Sequence, residues 1–256
     1  MRVVVKVGTS TLAHPTGRLN IRLVEELCKT LSDIKNAGHE VLLVSSGAIG
    51  MGVGKLPLQG RPTDMPTKQA AAAVGQCELM YTYDKLFTVY GHTVAQILLT
   101  RTDIEDAQRR HNIESTLSRL LELAAIPIIN ENDTVATEEI AVGDNDTLSA
   151  IVAVSTHADL LILLSDIDGL YTADPHKNAD ATLIAEVDHL TDAMLDMAGG
   201  SAGEQGTGGM RTKLLAARMV TENGIDMVIA NGAQPALLYA IIEGRSAGTR
   251  FKAKKA

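Results

Sequence analysis

Residues 3–10 read VVVKVGTS. The valines suit a strand covered on both faces, and Gly8, Thr9 and Ser10 suit the polar turn that ends it. Lys6 is the anomaly, because a lysine is seldom buried without a partner. One reading is an edge strand whose ammonium stays in water. The other is a strand end where Lys6 and the backbone amides beside it meet a phosphate.

The rest of the chain repeats the pattern. Apolar, β-branched runs at 41–44, 126–129 and 160–164 end in polar clusters: Ser45-Ser46-Gly47, Asn130-Glu131-Asn132-Asp133 and Ser165-Asp166-Ile167-Asp168-Gly169. Further strands fit 94–98 and 227–230. Segments of helical period separate them, at 21–37, 68–89, 112–123, 147–155, 192–198, 212–223 and 235–242, with a Pro- and Gly-rich loop at 54–66. In the first of these, Asn20 suits the N-cap. Val24, Leu27, Leu31 and Ile34 share a face, and Gly38 suits the C′ position. Strand–helix alternation predicts an α/β fold, a mainly parallel sheet with helices on both faces. Ligands of such sheets lie beyond the carboxyl ends of the strands, where these polar clusters fall. No internal repeat, low-complexity segment or long linker divides the chain, so residues 1–256 read as one unit.

Composition narrows the function. A net charge of −8 would repel a phosphate backbone, and a chain with no Trp and only Phe87 and Phe251 has little to stack on bases. Both argue against nucleic acid as a partner. Cys28 and Cys77 give neither a disulfide framework nor a zinc spacing. The opening MRVVVKVG is too short for a signal peptide, and apolar runs such as 160–164 fall well below the roughly 20 residues that span a bilayer. A soluble, cytoplasmic setting without a membrane partner is expected.

A second basic group comes late in the chain. Gly206, Thr207, Gly208 and Gly209 precede Met210, Arg211, Thr212 and Lys213 at the start of a helix. Free first-turn amides, glycine access and a lysine one turn in make an anion site. A flexible surface loop is the plainer reading of 199–206. The spacing G-x-x-x-x-G-K-[ST] is absent, so this is not a Walker-type loop. Gly199 to Gly203 matches the hydrolase pattern G-x-S-x-G, but that turn needs a strand before its serine, and here a helix is predicted. Residues 47–52 fall short of G-x-G-x-x-G.

The seven histidines are scattered, and Asp144-Asn145-Asp146 lacks the remaining spacing of a calcium loop, so no metal held by the protein is expected. Asp144 or Asp146 also suits the cap of the helix that follows. Two lysines distant in sequence, glycine-rich turns and acids between them fit phosphoryl transfer, which needs positioning and charge neutralisation more than covalent catalysis. An aspartate such as Asp146 would hold both lysines in place.

The set KVGTS (6–10), VSSGAIG (44–50), INENDTVAT (129–137), VGDNDTLSA (142–150), LSDIDGLYTADP (164–175) and GTGGMRTK (206–213), in this order, resembles the amino acid kinase family. Within it, the likeness is to the members that phosphorylate the side-chain carboxylate of L-glutamate, and it runs from Lys6 to about Phe251.

The resemblance implies a three-layer α/β/α sandwich of the amino acid kinase or acetylglutamate kinase-like type. Residues 1 to about 155 would form the amino-acid side and about 156 to 256 the nucleotide side, without the C-terminal PUA-type domain of many relatives. It implies ATP with Mg2+ as phosphoryl donor and L-glutamyl 5-phosphate as product, the first step of proline biosynthesis. Carried over by residue, Lys6, Asp146 and Lys213 would be catalytic, and Ser46, Asp133 and Asn145 would hold glutamate. Lys6, Ser165, Asp166, Thr207, Gly208, Gly209, Met210, Arg211, Thr212 and Lys213 would bind the nucleotide. Ser165 stands where many members have threonine and retains the hydroxyl. Feedback inhibition by proline and a homodimer or homotetramer are further expectations of the family.

Substrate chemistry agrees with this assignment. An ammonium group wants a carboxylate such as Asp133, and an α-carboxylate wants neutral donors around Ser46 and Gly47. The acceptor carboxylate, with an intrinsic pKa of about 4.3, is ionised at neutral pH and requires no general base.

Overall fold

The computed structural model describes residues 1–14, 16, 18–58, 60, 62–136, 144–175, 177–199 and 209–254. From the amino terminus the elements are β1 (Arg2–Val7), α1 (Thr9–Leu12), α2 (Ile21–Asn36), β2 (Glu40–Ser45), α3 (Ala48–Lys55), α4 (Met65–Thr88) and β3 (Val94–Leu99). Then come α5 (Arg101–Glu105), α6 (Ala107–Glu122), β4 (Ile126–Glu131), α7 (Asn145–Ser155) and β5 (Leu160–Ser165). The remainder are β6 (Glu186–Val187), α8 (Asp192–Gly199), α9 (Met210–Glu222), β7 (Asp226–Asn231), α10 (Leu237–Ile242) and β8 (Thr249–Phe251).

The strands form one sheet in the order β3-β4-β2-β1-β5-β7-β8-β6. Every pairing is parallel except β7 with β8, which run antiparallel. β1 therefore lies inside the sheet, paired with β2 and β5, and the edge-strand reading of Lys6 fails.

Side-chain alternation then assigns faces. Val3, Val5 and Val7 pack with Val24, Leu27 and Leu31 of α2 and Leu79, Tyr83 and Phe87 of α4. Val4 faces the other way, into a cluster with Leu148 and Val152 of α7 and Leu214, Ala217 and Val220 of α9. Each such side chain, fully buried, contributes about 1.5–3 kcal/mol. Lys6 shares the parity of Val4, so its side chain is directed to the α7 and α9 layer at the carboxyl end of the central strand.

The chain path creates a crevice at that point. From β1 it moves to β2 and on to β3 and β4, then returns through α7 to β5 on the opposite side of β1. Such a reversal of strand order is where ligands of open parallel sheets bind.

Several boundaries differ from those the periodicity suggests. α4 begins at Met65 because Asp64 accepts from the Thr67 amide at 2.9 Å and a proline fits the first turn. α3 falls in a glycine-rich stretch that carries little helical signal. Its glycines serve contact instead: a Cβ on Gly52 would lie 1.8 Å from the Ala71 carbonyl oxygen, and one on Gly75 would lie 1.7 Å from that of Ala48. α3 and α4 thus pack backbone against backbone. α2 behaves as its sequence suggests, with Asn20 capping the Leu23 amide and Gly38 at φ +93° closing the end.

Candidate active site

α7 starts beside the carboxyl ends of β1 and β2. Asp144 caps it, accepting from the Thr147 amide at 2.7 Å, which leaves Asn145 and Asp146 free to face the crevice from the first turn. Asp146 is only 1% exposed. Its Oδ1 lies 2.7 Å from Lys6 Nζ and its Oδ2 3.1 Å from Lys213 Nζ. The Thr212 hydroxyl donates to Oδ2 at 2.8 Å. Burial would by itself raise the Asp146 pKa, but Lys6 and then Lys213 outweigh it and hold the carboxyl below its ordinary range. Two buried ammonium groups face one carboxylate, so these three side chains together favour an anion.

A second polar group adjoins this one through the neighbouring residue. Asn145 Nδ2 donates to Ser46 Oγ at 2.7 Å and to Asn130 Oδ1 at 3.0 Å. Asn130 Nδ2 in turn donates to Gln76 Oε1 at 3.0 Å. Asp133 lies in the turn after β4, close in sequence to Asn130. Burial, and then the charge of Glu131, push its carboxyl up to about 6. Among the described residues that carboxylate has no hydrogen bond or ion pair to offset its desolvation.

Three helix starts at this end of the sheet carry no side-chain cap. Gly8, Gly47 and Gly209 occupy the N-caps of α1, α3 and α9, and none supplies a side-chain cap. α2, α4 and α6 start at the same end and are capped by the side-chain oxygens of Asn20, Asp64 and Asp106. Open first-turn amides at the carboxyl ends of strands are suited to anionic groups.

Over residues 1–231 the chain matches the amino acid kinase family. The chain belongs to the amino acid kinase family. It is 52% identical over 258 residues to a glutamate 5-kinase of Clostridium perfringens, covering 99% of this chain and 96% of that protein. A glutamate 5-kinase of Enterococcus faecalis is 49% identical over 254 residues, covering 98% and 94%. Among solved structures, the T. acidophilum isopentenyl phosphate kinase product complex has a TM-score of 0.68 at 17% identity, over 98% of this chain and 100% of that one. Carbamate kinase from Giardia lamblia bound to AMP-PNP has the same score and identity, over 98% of each chain. At that identity these structures establish the fold alone.

In this amino acid kinase the remaining candidate residues are placed as follows. Ser165 ends β5 and donates to Asp166 Oδ1 at 3.0 Å, with Asp166 exposed. Asp168 accepts from Asn231 Nδ2 at 2.8 Å and from the Tyr171 hydroxyl at 3.0 Å, tying the loop after β5 to the end of β7. Among the described residues no side-chain bond joins Ser165 or Asp166 to the lysine cluster. Gly209 opens α9, Met210 packs against the core, and Arg211 is exposed. Thr207 and Gly208 lie outside the described residues.

Three contributors were not assigned these contacts from sequence. Thr212 bonds Asp146 directly, Asn130 links two layers, and Gln76 ends the amide chain. Gln76 did leave a signal: Ala72, Leu79 and Tyr83 recur at helical spacing around it on the buried face of α4, so a polar side chain at that position points inward.

Proposed function

We propose that the chain transfers the γ-phosphoryl group of ATP to the side-chain carboxylate of L-glutamate, giving L-glutamyl 5-phosphate, the first step of proline biosynthesis. The observation that carries this reading is the Lys6–Asp146–Lys213 cluster, set one residue away from the Asn145–Ser46 pair. Charge neutralisation and acceptor binding thereby converge on one helix turn.

In this reading one oxygen of the ionised side-chain carboxylate attacks the γ-phosphorus, and the bond to the β-phosphate oxygen breaks as ADP leaves. No proton moves, so no general base is required. Lys6 and Lys213 neutralise the equatorial oxygens, with Asp146 holding both ammonium groups in register. Asn145 Oδ1 and Asp133 take the substrate ammonium, while the Ser46 hydroxyl and the open amides after Gly47 take its α-carboxylate. Ser165, Asp166 and residues 207–213 take the nucleotide. The part up to about residue 155 then serves the amino acid and the part from about 156 serves the nucleotide.

Magnesium in this reading arrives with the nucleotide. Both oxygens of Asp146 are engaged by lysines, and no three His, Cys, Asp or Glu side chains among the described residues form a metal-holding group. The ion would screen the phosphate charge. A cytoplasmic location, feedback by proline and assembly into a dimer or tetramer belong to the same proposal. No helix among the described residues is long and apolar enough to cross a membrane.

The test is acyl phosphate formation trapped with hydroxylamine in the presence of ATP and magnesium. A hydroxamate signal that requires glutamate, and is absent with N-acetylglutamate or aspartate, is the expected result. ATP consumption without that signal would retain a kinase and discard the acceptor.

A further inference from the structure

The amide chain beside the lysine cluster has a direction. Asn130 donates to Gln76 Oε1, and Asn145 donates to both Asn130 Oδ1 and Ser46 Oγ. Both N–H bonds of Asn145 are therefore committed inside the protein, and its Oδ1 is left as an acceptor. Ser46, whose oxygen accepts, keeps its own O–H to donate. That polarity is the one an amino acid needs, an acceptor for the ammonium and a donor for the carboxylate. With the links reversed, Asn145 would present N–H groups to an ammonium.

The far end of the chain is Gln76. Gln76 is 7% exposed, on the face of α4 that also buries Ala72, Leu79 and Tyr83. Its Nε2 is buried with no hydrogen-bond partner among the described residues. Leaving a buried donor unused is costly, so local packing gives no reason for an amide at this position. Its Oε1 has one evident use, which is to accept from Asn130.

We infer that Gln76 is a positioning residue for the amino-acid acceptor. Through Asn130 it fixes the orientation of the Asn145 amide, and so decides that Asn145 accepts and Ser46 donates at the substrate. The inference rests on the acceptor reading proposed above. It adds a residue from the opposite layer of the sandwich that touches no reacting atom.

The experiment is a double-mutant cycle on steady-state hydroxamate formation, with wild type, Gln76→Met, Asn130→Ala and the double variant. Gln76→Met keeps the length of the side chain and removes the acceptor. Each single substitution is expected to raise the glutamate KM roughly tenfold while the ATP KM stays within about twofold, a split that general loss of folded protein does not produce. The double variant is expected to match Asn130→Ala alone, because Gln76 acts through Asn130. A glutamate KM within about twofold of wild type in Gln76→Met, or singles that multiply in the double, would overturn the inference.

If Gln76→Met does not yield folded protein, Gln76→Glu replaces it. That variant keeps the acceptor oxygen and is expected to hold the glutamate KM within about threefold of wild type, and a tenfold rise would count against the inference. Wild-type protein with no glutamate-dependent signal would overturn the acceptor reading itself. Wild-type turnover with an unmoved Gln76→Met, or with a tenfold rise in Gln76→Glu, would overturn only the positioning role.

Discussion

Lys213 and Asp146, 67 residues apart in sequence, meet at 3.1 Å in a place where the carboxylate is 1% exposed. Asp146 also holds Lys6, so removing Lys213 leaves the carboxylate with a partner. Lys213→Ala is expected to cut kcat roughly 10²-fold or more, the scale for loss of one electrostatic stabiliser. The folded structure should persist. Near-normal kcat in that variant would remove Lys213 from the proposed mechanism.

Asp146→Ala acts differently, because it strands two buried ammonium groups. Breaking a buried pair in this way costs about 3–5 kcal/mol, and at this chain length each kcal/mol moves Tm by about 2–4 °C. A fall in Tm of about 6 °C or more is expected at neutral pH. The Asp146 carboxyl is held below its ordinary value of 3.8, so its stabilisation is present above that pH and fades as pH falls through the lower folded value. The Tm gap between wild type and variant should therefore narrow only in strong acid. A gap that closed near pH 6 would contradict this assignment.

Asp133 carries the opposite sign. Its folded pKa of about 6, against an ordinary 3.8, means that the unliganded fold prefers the protonated acid. The stability it gives is complete below pH 3.8 and is lost as pH rises through 6. Ammonium binding needs the ionised form, so the glutamate KM should climb about tenfold per pH unit below about 6. Asp133→Asn should flatten that profile, raise the glutamate KM, and stabilise the unliganded protein at neutral pH by up to about 3 kcal/mol. Kinetics and thermal unfolding on the same variant check both halves. An unchanged glutamate KM would detach Asp133 from the substrate.

Gly75→Ala tests the support beneath Ser46. The added methyl would meet the Ala48 carbonyl oxygen at 1.7 Å, and Ala48 opens the helix that follows Ser46 and Gly47. Overpacking of this kind costs about 1–3 kcal/mol or more, so Tm should fall. The variant that still folds should show a raised glutamate KM with the ATP KM little changed. Unaltered Tm would mean that α3 and α4 separate freely.

Much of the fold is legible in the sequence because long, buried strands and amphipathic helices carry their own period. β1, β2, β4, β5 and β7 each extend the apolar run that announces them by only one or two residues. What escapes is short or non-local. α1, α3 and α5, at 4, 8 and 5 residues, are too brief to display a period, and the glycines that allow α3 to touch α4 read as a loop. The order of strands is a property of long-range pairing that no local pattern encodes. Within the site, Lys6 is conspicuous because its chemistry clashes with its neighbours. The pattern around Gln76 marks it as inward-facing but not its partner, because Asn130 lies 54 residues away in another layer.

Asn145 and Asp146 are consecutive residues at the head of α7, the crossover between the two halves of the sheet. Their Cα atoms are held about 3.8 Å apart by a single peptide unit, which does not stretch. In the proposed reading, one of them seats the acceptor and the other seats the charges that receive the phosphoryl group. The spacing between nucleophile and phosphorus then behaves as a covalent ruler, and any displacement of α7 carries both partners of the reaction together.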